Sequence, residues 1–435
     1  MRRDKIKDLV AWKESPNRKP LIIRGARQVG KTWLMQEFGR EHYGQTVYLN
    51  FEKNRRLRGL FADDFDIKRV IVALQAESGL VIDPKKTLII FDEIQGVPEA
   101  ITALKYFRED APEYHIVAAG SLLGVALHSG ISFPVGNVEF MDLFPLTYFE
   151  FLDAIGESGL TDIMKSGDWK LITAYRLGLT DRLRQYYYVG GMPEAVLRFS
   201  KDQSFTGVRE IQKQILFAYD QDLSKHAPVN MVPRIRMLWD SIPGQLAKEN
   251  RKFIYGLIKE GSRAKDYEMA LSWLIDCGMV HKVARVTKPA IPLKAYEDRG
   301  AFKLFISDVG LLSAMGDIDS GSLLDGNEIF SEFKGALTEQ YVFQQLVASE
   351  QYPIFYWTAE RSTAEIDFII QHKGKVIPIE VKAEENLQAK SLKVYNEKFK
   401  PSVSIRTSMS DYRKEAWLTN LPLYTINFLS NLINP

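Results

Sequence analysis

The sequence predicts an α/β fold for its N-terminal part, built on a parallel sheet of buried strands. Three short runs rich in apolar and β-branched residues indicate the strands, at residues 21–23, 46–51 and 87–91. A glycine-rich loop follows the first run, two adjacent carboxylates follow the third, and stretches rich in helix-forming residues separate the runs. Apolar strands that alternate with helices are typical of a sheet covered on both faces.

The loop after the first strand has the pattern of a phosphate-binding loop. Residues 25–32 read GARQVGKT, which completes G-x-x-x-x-G-K-[ST], and helix-forming residues follow. Glycines let backbone N–H groups surround phosphate oxygens, and a helix that begins near Gly30 adds its positive end. Lys31 would contact the β- and γ-phosphates, and Thr32 would ligate Mg²⁺. We expect these residues to bind ATP: Gly25, Ala26, Arg27, Gln28, Val29, Gly30, Lys31, Thr32 and Trp33.

Polar residues at the ends of two further strands complete the predicted nucleotide site. The run TLIIF at residues 87–91 ends in Asp92 and Glu93. A carboxylate at such a strand end holds the Mg²⁺ shell, so we assign that role to Asp92. Glu93 would orient and deprotonate the attacking water. Ser121, after a fourth predicted strand at residues 116–121, would sense the γ-phosphate, because ligand groups gather at the carboxyl ends of parallel strands.

Four segments of this region together resemble one family of proteins. GARQVGKT, LIIFDEIQ, AAGSLLG and FPVGNVEFMDLFPLTYFEFL look like a family of prokaryotic AAA-type ATPases with a long C-terminal region, and the resemblance covers nearly the whole chain. It implies the same nucleotide, Mg²⁺ and sensor residues. Many relatives carry an arginine where this chain has Gly136 and Asn137, so we expect slow hydrolysis. Arg108, Arg182 and Arg184 are candidate arginine fingers, and a finger from a second subunit would require a homo-oligomer.

Composition leaves the partner open and indicates a reducing compartment. Lys and Arg number 57 against 55 Asp and Glu, so bulk charge favours no particular partner. The single cysteine, Cys277, excludes an intrachain disulfide and a cysteine-based zinc cluster. Residues 114–138 contain no charged side chain, but glycines, Pro134 and histidines interrupt them, so we expect no membrane span. No apolar stretch that would fit a secretory signal follows the basic N-terminus, and we expect a cytoplasmic protein.

The middle of the chain is predicted to be mainly helical. Residues 156–232 have helical spacing, interrupted by the turn GGMPEAV at residues 190–196. In residues 233–320, helices precede two strand-like runs at 279–283 and 303–306, which suggests a winged-helix-like unit. DNA is a candidate partner there, through Arg251, Lys252, Arg263 and Lys265, although acidic residues balance these charges.

A second group of charged residues lies near the C-terminus. Residues 366–370 and 376–382 read as strands, and a two-residue turn at Lys373 and Gly374 would place Asp367 directly opposite Glu380. Lys382 shares their face. Glu339 lies on the apolar face of a predicted helix. Like charges that face each other destabilise a sheet, so a divalent cation is the expected compensation.

These four residues resemble the catalytic set of restriction-endonuclease-like PD-(D/E)XK nucleases. The resemblance implies that Asp367 and Glu380 bind Mg²⁺, that Glu339 supports the metal, and that Lys382 orients the nucleophilic water. The predicted domains are an ATPase core (1–155), a helical segment (156–232), a winged-helix-like domain (233–320) and a nuclease-like α/β domain (321–435).

Three functions stay open at this point. ATP could gate DNA binding or cleavage by the C-terminal domain. Alternatively, the chain is an ATP-dependent switch whose nuclease-like domain is inactive and binds nucleic acid or another partner. A third interpretation is an ATPase without a nucleic-acid partner, which the near-neutral charge favours.

Overall fold

The structure is a computed structural model that describes residues 1–54, 56–61, 65–120, 134, 136–248, 252–324, 331–360, 363–385 and 388–433. The chain forms two compact units. The first contains Arg2–Phe144 and the short segment Trp273–Met279, and the second contains Pro145–Ser272 and Val280–Pro435. Among the described residues, no helix combines the length and apolarity required to cross a bilayer.

The first unit is built on a five-stranded sheet in which every pairing is parallel. Its strands are β1 (Leu21–Arg24), β2 (Gln45–Asn50), β3 (Thr87–Asp92), β4 (His115–Ala119) and β5 (Glu139–Asp142). They are arranged in the order β2-β3-β4-β1-β5. The parallel α/β architecture is therefore confirmed, with strand bounds within two residues of the predicted runs. This order puts β4 between β1 and β3, so the loops after all three strands reach one edge of the sheet.

Helices and apolar side chains cover this sheet. The helices of the first unit are Ile6–Glu14, Lys31–His42, Arg56–Leu60, Ile67–Ser78 and Pro98–Asp110. Helix Lys31–His42 buries Leu34, Met35 and Phe38, whose spacing places them on one face. β3 is buried over its whole length, which explains why its sequence is apolar up to Asp92. A strand held this rigidly fixes the position of the carboxylates at its end.

The second unit contains many helices and an eight-stranded mixed sheet. Its strands are β6 (Val280–Val286), β7 (Glu297–Ile306), β8 (Ile354–Thr358), β9 (Glu365–His372), β10 (Lys375–Val381), β11 (Ile405–Ser408), β12 (Arg413–Lys414) and β13 (Thr419–Pro422). Their order is β12-β13-β11-β10-β9-β8-β6-β7. Its helices are Tyr148–Ala154, Ser158–Lys165, Trp169–Ala174, Arg176–Val189, Pro193–Asp202, Phe205–His226, Val232–Leu246, Ala264–Asp276, Val309–Met315, Ser320–Leu324, Ser331–Ala348, Lys390–Phe399 and Leu429–Ile433, of which Ala264–Asp276 ends in the first unit.

The predicted two-stranded wing is part of this larger sheet. β6 and β7 pair antiparallel, as a hairpin requires, but β6 also pairs in parallel with β8. β6 buries Val280, Val283 and Val286, which lie on both faces of the strand, and both of its edges are paired with other strands. The hairpin of the expected winged-helix-like unit is thus joined to the expected nuclease-like region by backbone hydrogen bonds.

The predicted boundary at residue 155 also differs from the division into units, which falls after Phe144. The reason is the aromatic helix Tyr148–Ala154. Tyr148 is fully buried, and its ring packs edge-on against those of Tyr186 and Tyr341. These contacts place the helix in the core of the second unit, and the three regions predicted after residue 155 pack together there.

Candidate functional site

The loop between β1 and helix Lys31–His42 adopts a conformation that few residue types tolerate. Gly25, Gln28 and Gly30 all have positive φ angles, of 143°, 65° and 95°. A Cβ on Gly25 would lie 2.2 Å from the carbonyl oxygen of Leu143, so only glycine fits there. Left-handed residues that alternate before a helix N-terminus form the concave backbone that binds phosphate.

Lys31 lies inside this loop, and its hydrogen-bond acceptors among the described residues are carbonyl oxygens. Its Nζ donates to the carbonyls of Gly25 and Ala26, at 2.8 Å each. Burial lowers the pKa of Lys31 to about 8, and the nearby carboxylates of Glu93 and Asp92 oppose that shift. The ammonium group is therefore held by weak partners that a phosphate can replace.

Thr32 and Asp92 meet although sixty positions separate them in the sequence. Thr32 Oγ1 donates a hydrogen bond to Asp92 Oδ2 at 2.9 Å, and the hydroxyl of Tyr48 donates to the same oxygen at 2.6 Å. A hydroxyl next to a carboxylate is a donor set that suits Mg²⁺ when phosphate oxygens complete it. The sequence analysis did not identify Tyr48. Its position could have indicated a contact with Asp92, because β2 neighbours β3 in the parallel sheet.

Glu93 begins the turn after β3 in a left-handed conformation, with φ of 51°. Such a backbone conformation is uncommon for a non-glycine residue and is often found at functional sites. Glu93 Oε2 accepts a hydrogen bond from Gln95 Nε2 at 2.6 Å. Gln95, which the sequence analysis did not single out, therefore fixes the orientation of the predicted catalytic carboxylate.

Two further contacts support the phosphate-binding loop within the first unit. The buried Arg3 donates from Nη1 to the carbonyl of Val29 at 3.0 Å and from Nη2 to the carbonyl of Phe144 at 2.6 Å. Gly278 has a φ of 69°, and a Cβ on it would lie 3.1 Å from the backbone nitrogen of Ala26. Neither contact follows from local sequence patterns, because each joins segments that are distant in the chain.

The other candidate residues are placed as follows. Ser121 and Arg251 lie outside the described residues. Trp33, the residue after the motif, is 37% exposed on helix Lys31–His42. Of the candidate arginine fingers, Arg182 forms an ion pair with Glu157, Arg184 forms one with Asp181, and Arg108 lies on helix Pro98–Asp110.

The second predicted group comes together in the sheet of the second unit. Residues 375–379 of β10 pair with 368–372 of β9 in the register that the sequence predicts, and Lys373 and Gly374 form the left-handed turn. Asp367 Oδ2 accepts a hydrogen bond from the backbone nitrogen of Val381 at 2.7 Å. Lys382 Nζ lies 3.0 Å from Glu380 Oε1, and Glu339 is fully buried.

The cation in this group is a lysine that the sequence analysis did not include. Lys303, on β7, is fully buried, and its Nζ lies 2.8 Å from Glu339 Oε1 and 2.5 Å from Glu365 Oε1. Asp367 Oδ1 lies 4.0 Å from the same nitrogen. Among the described residues, no group of three or more histidine, cysteine or acidic side chains is arranged to hold a metal ion. Lys303 thus compensates Glu339 and Glu365, whereas Glu380 pairs with Lys382, and the expected metal roles of Glu339, Asp367 and Glu380 stay predictions.

Glu380 is the remaining acid of this group, and its burial favours the protonated form. Burial raises the pKa of Glu380, which is 3% exposed, and the ammonium of Lys382 opposes that shift. Glu380 Oε2 is buried and has no hydrogen-bond partner within the described part of the chain. A buried carboxylate with one unpaired oxygen holds its proton more tightly than an exposed one.

Comparison with protein families assigns the first unit. Residues 17–152 match a family model described as AAA domain. This match covers the phosphate-binding loop and the Asp92–Glu93 pair, so the chain contains an AAA-type P-loop domain. Residues 180–322 and 334–426 match two domains of unknown function, DUF8612 and DUF4143. Neither description names an activity, and the nuclease-like and winged-helix-like assignments stay predictions.

Solved structures with detectable similarity are distant. A Walker-type ATPase of Pyrococcus abyssi is 15% identical, with 72% of this chain and 95% of that chain covered and a TM-score of 0.44. The ORC1 protein of Aeropyrum pernix, solved in complex with DNA, is 12% identical over 72% and 90%, with a TM-score of 0.27. The RuvB branch migration motor of Thermotoga maritima is 13% identical over 68% and 94%, with a TM-score of 0.29. These scores lie below 0.5 and carry no conclusion about this chain. No curated protein matches it.

Proposed function

We propose that this chain is an ATPase that binds ATP with Mg²⁺ at residues 25–33 and hydrolyses it with Glu93. One observation carries the proposal: the hydroxyl of Thr32 lies 2.9 Å from the carboxylate of Asp92. Chance can produce a glycine-rich loop or an acidic strand end separately. Their meeting at one edge of a parallel sheet is what nucleotide chemistry requires.

The loop would bind the phosphates in two ways. Its backbone N–H groups and the N-terminus of helix Lys31–His42 favour negative charge. Lys31 would exchange the carbonyls of Gly25 and Ala26 for phosphate oxygens. This exchange replaces two dipoles with a full negative charge, so it favours the bound nucleotide.

Thr32 and Asp92 would hold the metal, with Tyr48 fixing the carboxylate. When bound, Mg²⁺ supplies positive charge that neutralises the phosphate oxygens. Asp92 is 4% exposed at the end of a fully buried strand, so its position is fixed before any nucleotide arrives. A preorganised donor set needs little rearrangement during the reaction.

Glu93 would act on the attacking water. In the conformation described, Gln95 occupies one of its carboxylate oxygens, at 2.6 Å. Glu93 would exchange this bond for one from water, which it would orient and deprotonate. Gly136 and Asn137 stand where many relatives carry an arginine, so less positive charge would stabilise the transition state. Slow hydrolysis is the expected consequence.

The test compares nucleotide binding with hydrolysis in purified full-length protein. Calorimetry with ATP and Mg²⁺ should detect binding by the wild type, and Lys31→Ala should lose it. Glu93→Gln should keep ATP affinity within about threefold but lose phosphate release by at least about a hundredfold, as expected for a lost general base. Glu113→Gln, at an exposed turn position, is the matched control and should behave as the wild type. Absence of ATP binding by the wild type would refute the proposal.

A further inference from the structure

The nuclease resemblance of the C-terminal sheet implies a divalent metal that Asp367, Glu380 and Glu339 would hold. Such a metal needs carboxylate oxygens that converge on one position and carry no other cation. Whether these residues fit can be decided from their contacts, which all lie within the second unit.

Lys303 occupies the position at which the carboxylates of Glu339, Glu365 and Asp367 converge. Its ammonium group contacts Glu339 and Glu365 at 2.8 and 2.5 Å and lies 4.0 Å from Asp367. The side chain is completely buried, and Nζ lies 5.1 Å from the centre of the Tyr356 ring, which adds a cation–π contact. An ammonium group with this many partners in a buried site is not free to leave it.

The other carboxylates also have donors close to them. Asp367 Oδ2 accepts the backbone N–H of Val381, and Glu380 Oε1 pairs with Lys382. A divalent cation among these groups would have to displace donors and would lie close to a buried positive charge that repels it. Each acidic residue that the resemblance assigns to the metal thus already has a donor beside one of its carboxylate oxygens.

We propose that Lys303 replaces the divalent cation of this carboxylate cluster, so that the C-terminal sheet is stabilised by an internal ammonium group and does not bind a catalytic metal. The nuclease-like region then has no means to activate water for phosphodiester cleavage. The sequence leaves several functions open. The proposal favours those in which the C-terminal region does not cut nucleic acid.

The experiment measures Mn²⁺ binding to full-length protein without nucleotide, by electron paramagnetic resonance of the free ion. The wild type is compared with Asp367→Asn, which keeps an acceptor for Val381 but removes the charge. Any Mn²⁺ that the first unit binds contributes equally to both isotherms. We expect the two isotherms to superimpose. A Mn²⁺ site that the wild type has and Asp367→Asn lacks would overturn the proposal.

Removal of the lysine should create the missing site. In Lys303→Met, which keeps the apolar stem, we expect one additional Mn²⁺ site and a melting temperature that metal raises by roughly 5 °C or more. The double variant Lys303→Met with Asp367→Asn should lose both effects. Lys382→Met, at the partly exposed lysine, is the matched control and should gain no site. A Lys303→Met protein that folds and binds no additional Mn²⁺ would also contradict the proposal.

A variant that does not fold leaves the question decidable. If Lys303→Met is insoluble, the comparison of the wild type with Asp367→Asn still decides the proposal, because both proteins keep the buried pair of Lys303 and Glu339. Failure of ATP binding would leave these outcomes unchanged, since no nucleotide is present.

Discussion

Tyr48→Phe should raise the Mg²⁺ concentration that nucleotide binding requires while leaving the fold intact. The Tyr48 hydroxyl donates to Asp92 Oδ2 at 2.6 Å, the oxygen that also accepts the Thr32 hydroxyl. Burial and the bond to Asp92 raise the pKa of Tyr48 to about 12, so this hydroxyl remains a donor at neutral pH. Phenylalanine removes that donor and, with it, the acceptor of a long hydrogen bond of 3.4 Å from Asn50 Nδ2.

The size of the effect follows from the exposure of the bond. A hydrogen bond to a charged acceptor contributes about 1.5–3 kcal/mol, and Tyr48 is 38% exposed, so the lower end applies. About 1.4 kcal/mol corresponds to a tenfold change in an equilibrium constant. We therefore expect about tenfold more Mg²⁺ for half-maximal ATP binding, since a metal ligand without its orienting partner binds less well.

The assay titrates Mg²⁺ into protein with a fluorescent ATP analogue and, separately, follows phosphate release at saturating Mg²⁺. Tyr114→Phe, in the same unit, is the control because Tyr114 has no contact with Asp92 among the described hydrogen bonds. Hydrolysis at saturating Mg²⁺ should fall less than threefold. An unchanged or tighter Mg²⁺ dependence in Tyr48→Phe would show that the hydroxyl competes with the metal and does not orient its ligand.

Three further predictions test other contacts. Gly278→Ala should weaken ATP binding several-fold in calorimetry, because its Cβ would press on the phosphate-binding loop, whereas Gly261→Ala, also left-handed but with open space around it, should not. Arg3→Met should lower the melting temperature by several degrees and weaken ATP binding, because the buried guanidinium holds a carbonyl of that loop. Burial raises the pKa of Asp308 to about 6 from 3.8, so the folded state retains this proton and the free energy of unfolding should fall by about 2 kcal/mol as pH rises from 4 to 6. Denaturant titrations should show that Asp308→Asn lacks this part of the pH dependence, and an equal dependence in the variant would contradict the assignment.

Local patterns predicted the elements that carry the nucleotide site. The apolar run before Asp92 and the glycine-rich loop before Lys31 each occupy one segment, so their conformations are set by neighbours in the chain. The hairpin register was also predictable, because the turn at Lys373 and Gly374 fixes which residues face each other.

Contacts between distant segments could not be read in the same way. Arg3 lies before the phosphate-binding loop in the sequence, and Gly278 lies far after it. Both contact the loop, and neither belongs to a motif. Lys303 did carry a signal, since it lies within the apolar run AFKLFI at residues 301–306. A lysine inside a buried strand requires an acidic partner, and buried carboxylates require a positive one. This lysine can therefore supply the charge that was expected from a metal.

Two lysines that are buried among the described residues show why one site should receive a ligand and the other should not. Lys31 donates to two carbonyl oxygens, and burial lowers its pKa to about 8, so its surroundings compensate its charge only in part. A phosphate would complete that compensation, which favours binding. Lys303 instead contacts two carboxylates directly and has a third nearby. An additional cation would be repelled there and an anion would find the charge already neutralised, so we expect ligand binding at the loop that holds Lys31.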